Sequence, residues 1–180
     1  NQLGIARTFQ HISLFSTMNV LENVIIGQHC RTKAGIFSAM LRTRGDREEE
    51  KRVVERAYEL LDFVGLTHRA GELACNLPYG EQRLLEIVRA LASQPKLIML
   101  DEASAGMNSV EKDNLIRIIR AISAEGITIL MIEHDMKLAM SLSDQITVLD
   151  HGAKIAEGLP QAIQTNQKVI EAYLGKGGVA

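Results

Sequence analysis

Leu97-Ile98-Met99-Leu100-Asp101-Glu102 and Ile127-Thr128-Ile129-Leu130-Met131-Ile132-Glu133-His134-Asp135 are two short apolar runs, each ending abruptly in charged or polar side chains. Between them Leu115, Ile118, Ile119 and Ile122 recur at the three- and four-residue steps of a helix. Apolar runs without alternation, separated by helices of roughly 10 to 15 residues, are what strands buried on both faces of a parallel sheet look like. The fold class is therefore α/β.

Ahead of this pair, a helix begins after Gly80 and carries Leu84, Leu85, Val88, Leu91 and Ala92 on one face until Pro95 stops it. Val53, Val54, Ala57, Leu60, Leu61 and Val64 define an amphipathic helix behind the charged run Asp46 to Arg52, ending at Gly65. That charged run reads as a solvated face. Residues 28–45, with Arg31, Lys33, Arg42 and Arg44 among Gly, Ser and Thr, read as an exposed insertion. The N-terminal part reads as a strand near residues 3–8, a loop, and a short helix capped by Thr17 or Asn19 with Glu22 in its first turn. Downstream come a short helix to Ser143, a strand over Ile146 to Leu149, and a hairpin turn at Asp150-His151-Gly152 that adds an antiparallel element to the sheet. Two short helices follow, with Gly175 to Ala180 frayed.

A chain of 180 residues is one ordinary domain, since domains run to roughly 150 residues. A net charge of −2, 4% aromatic residues and no Trp argue against direct nucleic-acid binding, which draws on excess positive charge and stacking side chains. No apolar run approaches the ~20 residues needed to cross a bilayer. Cys30 and Cys75 are too few for a disulfide framework, and His11, His29, His68 and His151 lack the spacing of a zinc site. The chain opens on Asn1-Gln2-Leu3-Gly4-Ile5 without an initiator Met, as a segment of a longer protein would.

In open parallel sheets, ligands sit beyond the carboxyl ends of the strands. Asp101-Glu102 at such an end is a weak signal alone, because a turn or helix cap explains most pairs of this kind. Neighbouring side chains on a strand point to opposite sides, so the two carboxylates act together only where the chain bends between them. Two carboxylates with two roles suit a nucleotide hydrolase: one holds Mg²⁺ through water, and the other polarises the attacking water. His134 by itself reads as a hydrogen-bonded histidine at a strand end.

Five segments in one order raise these odds: Arg7-Thr8-Phe9-Gln10, Leu77-Pro78-Tyr79-Gly80-Glu81-Gln82-Arg83, Leu97 to Glu102, Ala105-Gly106-Met107-Asn108, and Ile132-Glu133-His134-Asp135. Together they resemble the nucleotide-binding subunit of an ATP-binding-cassette (ABC) transporter, and the resemblance runs from Ile5 to about Leu174. It implies a P-loop-NTPase-like α/β domain with a mostly parallel sheet and a helical subdomain. On that reading 11–95 form the helical and signature subdomain, 1–10 and 96–155 the catalytic-core strands and helices, and 156–180 the C-terminal helices.

Position by position, Gln10 resembles the Q-loop glutamine, which touches Mg²⁺ and the attacking water and meets the transmembrane partner. Leu77 to Glu81, with Tyr79, Gly80 and Glu81, takes the place of the signature loop, which reaches across a dimer to the γ-phosphate of ATP on the other subunit. There Gly80 lets backbone approach phosphate, and the following helix aims its positive end at the anion. Asp101 is similar to the Mg²⁺-holding Walker B aspartate, Glu102 to the general base, Ser104 to Asn108 to the D-loop, and His134 to the switch histidine at the γ-phosphate.

Three departures stand out: Pro78-Tyr79 replaces Ser-Gly, Glu81 stands for Gln, and Ala103 for Pro. Pro-Tyr-Gly and Ala-Gly-Met-Asn resemble the ATPases of branched-chain amino acid import, as do the 27–52 stretch, Glu157-Gly158-Leu159-Pro160 and the Tyr173-Leu174-Gly175 ending. Urea or short-amide import and lipopolysaccharide export are the neighbouring alternatives. The segment between Gln10 and Leu77 is too short for the coiled-coil insertion of DNA-repair relatives, and there is no second cassette as in translation factors. The resemblance implies transmembrane permease subunits, a second ATPase subunit in a homo- or heterodimer, indirectly a substrate-binding protein, and a place on the cytoplasmic face of the membrane. No Gly-x-x-x-x-Gly-Lys-Ser/Thr occurs, so the chain is expected to be roughly the C-terminal two thirds of a cassette. As given, it is expected to bind partners without hydrolysing ATP.

Overall fold

The structure is a computed structural model that describes residues 3–10, 12–29 and 44–174. Most of the expected insertion at 28–45 lies outside the described residues, as do His11, Cys30 and the stretch 175–180. The chain forms two compact units, Asn1–Ile132 and Glu133–Ala180.

In the first unit β1 (Ile5–Arg7), β2 (Leu97–Asp101) and β3 (Thr128–Ile132) form a parallel sheet in the order β1-β2-β3. Ile5 pairs with Leu97 and Arg7 with Met99, while Leu97 pairs with Thr128 and Asp101 with Ile132. Ile98 and Leu100 of the central strand are buried. Edge strand β3 leaves Leu130 and Ile132 49% and 54% exposed, a large opening for a parallel strand.

α1 (Val20–Gly27) starts at Asn19, whose side chain takes the Glu22 N–H while Glu22 takes the Asn19 N–H. This reciprocal capping box decides between the two caps that the sequence offered. α1 packs on α2 (Arg44–Phe63) and α3 (Tyr79–Leu91). A Cβ on Gly27 would lie 2.3 Å from the Arg89 carbonyl oxygen, so the α1–α3 approach requires glycine there. α2 buries Ala57, Leu60 and Leu61, and it ends where Gly65 adopts φ +77. The Gly65 and Leu66 N–H groups bond Asp62 and Leu61 carbonyls at 2.9 and 2.8 Å, the pairing of a Schellman stop.

The helix expected after Gly80 begins earlier, at Tyr79. The Pro78 carbonyl accepts the Gln82 N–H at 3.0 Å, so Gly80 lies inside the first turn rather than breaking it. α4 (Ser109–Ala124) buries Leu115, Ile118, Ile119 and Ile122, the four residues whose spacing foretold it.

The second unit holds α5 (Met136–Leu142), β4 (Ile146–Asp150), β5 (Ala153–Gly158), α6 (Pro160–Gln164) and α7 (Gln167–Leu174). His151 and Gly152 both have positive φ, 46° and 80°, the signature of a type I′ turn. The antiparallel element was expected within the parallel sheet; among the described residues β4 and β5 instead pair with each other in a two-stranded sheet. The tight turn commits residues 146–150 to the strand that follows them.

Candidate functional site

Because β1 and β2 are parallel neighbours, their carboxyl ends place Arg7 to Gln10 beside Asp101 and Glu102. The Arg7 guanidinium meets Asp101 Oδ2 at 3.0 Å, and Gln10 Nε2 donates to Glu102 Oε2 at 3.1 Å. Thr8, buried between them, bonds the Met99 carbonyl through its N–H at 2.9 Å, and its hydroxyl accepts the Asp101 N–H at 3.4 Å. Glu102 has φ +47 and donates its N–H to the Ile132 carbonyl at 2.9 Å. A left-handed conformation is costly for a side-chain-bearing residue and persists only where its surroundings impose it. It supplies the bend that lets two adjacent carboxylates work at one site.

Tyr79 and Gly80 meet the segment after β2. A Cβ on Gly80 would lie 2.5 Å from Glu111 Oε1, and one on Gly106, at φ +75, would lie 3.0 Å from the Tyr79 ring. The first demand on Gly80 in this chain is thus the close approach of Glu111. That glutamate completes a second capping box: its N–H bonds Asn108 Oδ1 at 3.0 Å and its carboxylate takes the Asn108 N–H at 2.9 Å.

Two residues singled out in the sequence are engaged by neighbours. Asn108 caps α4. Glu81 Oε2 faces Arg69 Nε at 2.7 Å without hydrogen-bond alignment, an attraction of charge that Gln could not supply. His134 belongs to the second unit, where it is exposed beside Asp135, the residue whose carboxylate caps α5. Gln10, Asp101 and Glu102 are brought together, and Arg7 and Thr8 join them although the sequence assigned them no role. Arg7 could have been suspected from its two-residue alternation with Phe9 at a strand end. Burial holds the half-buried Arg89 guanidinium below its ordinary value, opposed by the nearby Glu86 carboxylate.

Among the described residues no group of three His, Cys, Asp or Glu side chains could hold a metal alone. Asp101, Glu102 and Gln10 offer only oxygen ligands, the set that Mg²⁺ takes when one or two carboxylates are joined by substrate phosphates. No helix among the described residues is long and apolar enough to cross a membrane.

Residues 2–105 match the family described as ABC transporter. Over 176 residues the chain is 44% identical to the high-affinity branched-chain amino acid transport ATP-binding protein LivG of Escherichia coli, covering 97% of this chain and 69% of that protein. It is 42% identical to BraF, the protein of the same description from Pseudomonas aeruginosa, over 96% and 68% of the two chains. A solved ATP-binding cassette of an ABC transporter in its ADP conformation superposes with a TM-score of 0.76 at 35% identity, covering 96% of this chain and 68% of that one. The chain therefore belongs to the ABC transporter family, as an ATP-binding domain. Residues 153–179, which begin at β5, match the family described as branched-chain amino acid ATP-binding cassette transporter.

Proposed function

We propose that the protein is the ATP-hydrolysing subunit of a transporter that drives branched-chain amino acid uptake. The observation that carries the catalytic part is the Gln10–Glu102 hydrogen bond beside Asp101 at the carboxyl end of β2. Glu102 takes the proton of the attacking water on its carboxylate, and Gln10, through Nε2, holds that carboxylate in one orientation. Asp101, with the Gln10 amide oxygen, would hold Mg²⁺, which would offset the negative charge of the nucleotide's phosphates. Arg7 balances the Asp101 charge. Tyr79, Gly80, Glu81 and Asn108 form the edge presented to nucleotide on a second ATPase subunit, and His134 contacts the γ-phosphate. The 180 residues contain no Gly-x-x-x-x-Gly-Lys-Ser/Thr, so the phosphate cradle is not among them. Membrane permease subunits anchor the protein at the cytoplasmic face, and a substrate-binding protein delivers the amino acid to them.

The substrate rests on the match at residues 153–179 and on the names of the LivG and BraF relatives. Uptake of radiolabelled leucine and urea into vesicles carrying the assembled transporter tests it. ATP-dependent accumulation of leucine alone is the expected result; accumulation of urea without leucine would overturn the substrate reading.

A further inference from the structure

Arg83 and Glu86 lie one turn apart on α3, their side chains 3% and 2% exposed, with Arg83 NH1 and Glu86 Oε2 3.2 Å apart. A buried ion pair is poor support for stability, because desolvation offsets its attraction. The remaining bonds of this pair converge on one stretch of backbone. Arg83 donates NH1 to the Phe9 carbonyl at 2.8 Å and NH2 to the Gln10 carbonyl. Glu86 Oε1 accepts the N–H groups of Phe9 and Ser13, each at 3.4 Å. One guanidinium and one carboxylate thereby grip both ends of the segment that carries Gln10.

A third group completes the clamp. Arg83 NH2 also donates to the Tyr79 hydroxyl at 3.0 Å, and the Tyr79 ring lies 5.4 Å from the guanidinium carbon. The same ring rests on Gly106. The terminal nitrogen that holds the Gln10 carbonyl is therefore the one that holds Tyr79. A lysine could keep the charge but not this fork, whose two nitrogens serve separate partners.

We propose that Arg83, seated by Glu86 and Tyr79, is a positioning residue. It fixes the backbone at Phe9, Gln10 and Ser13 so that the Gln10 side chain reaches Glu102, and a shift of Tyr79 at the start of α3 releases those residues. The 77–80 loop and the Gln10–Glu102 contact are thereby linked through one guanidinium. The catalytic consequence rests on the ATPase role proposed above; the clamp itself does not.

Tyr79→Phe removes the acceptor and keeps the ring; Arg83→Lys keeps the charge and loses the fork. Both are made in the transporter assembled with its permease, and amide hydrogen exchange over residues 9–13 is read beside melting temperature and ATPase kinetics. Exchange there is expected to quicken about tenfold in each variant with the melting temperature little changed. The kcat is expected to fall about tenfold at unchanged KM for ATP, and the double variant to fall no further than Arg83→Lys alone. Unchanged exchange at 9–13 in both variants overturns the proposal, as does a loss that is additive and follows the melting temperature. If the unaltered transporter hydrolyses no ATP, the hydrolytic reading fails and the exchange data alone decide the clamp.

Discussion

Gln10 Nε2 lies 3.1 Å from Glu102 Oε2, a bond between the loop after β1 and the residue that follows the central strand. Arg7 and Asp101, the last residues of β1 and β2, repeat the pattern at 3.0 Å. Parallel pairing of β1 with β2 produces both, since it sets the carboxyl ends of the two strands side by side.

Glu102→Gln keeps the shape and removes the base. In the assembled transporter we expect ATP binding to persist and steady-state turnover to fall by about 10²-fold or more, the usual worth of a positioned general base. Turnover within threefold of the parent would sink the assignment.

His134 is exposed, so its loss opens no cavity. His134→Ala is expected to cripple hydrolysis coupled to transport while the melting curve stays in place. A large fall in melting temperature with normal specific activity would show a structural histidine instead.

Gly80→Ala would drive a methyl group to 2.5 Å from Glu111 Oε1. Glu111 must turn aside, which strains the bond its other carboxylate oxygen accepts from the Asn108 N–H, at a cost of about 1 kcal/mol. The cycle of Gly80→Ala, Glu111→Ala and the double variant checks this by denaturant melts. Glu111→Ala is expected to absorb most of the Gly80→Ala penalty, whereas strictly additive losses would argue that the two residues do not meet.

The loop before α1 exposes Phe15. With Ile12, Leu14 and Met18 close by, this surface is expected to meet a permease subunit. A cysteine placed at the exposed Ser16 should crosslink to that subunit; crosslinks that reach only the second ATPase subunit would contradict the assignment.

The 180 residues made alone should bind Mg-ATP weakly. They hold two adjacent carboxylates but no P-loop nest or lysine for the phosphates, and those contacts supply most of the charge neutralisation in such sites. The exposed Leu130 and Ile132 on β3 should also blur the thermal transition. Calorimetric titration and a melt test both halves; a micromolar Kd with a cooperative transition would refute them.

Local signals were readable because their causes lie within a few residues. The 115–122 spacing specified a buried helix face, the Asn19 box closes over three residues, and Gly65 stops α2 where its positive φ is needed. Asp101 and Glu102 were legible for a similar reason: they stand at the end of an apolar run, where ligands of parallel sheets sit, whereas Gln10 was picked out only by the family resemblance of its segment. Glu81 has no such local signal for its partner. Nothing near residue 81 announces that Arg69 will meet it.

By itself the sequence determined the α/β class, the order of strands and helices, and the carboxylates Asp101 and Glu102 at a strand end, because periodicity and capping act over one or two turns. Only the tertiary structure decided that Glu102 turns left-handed under the Ile132 carbonyl, that β4 and β5 pair with each other in a two-stranded sheet, and that Arg83 and Glu86 close on the Gln10 backbone from more than seventy residues away. Those partners are far apart in the chain, and a buried charge takes whatever group the packing of strands and helices sets within reach.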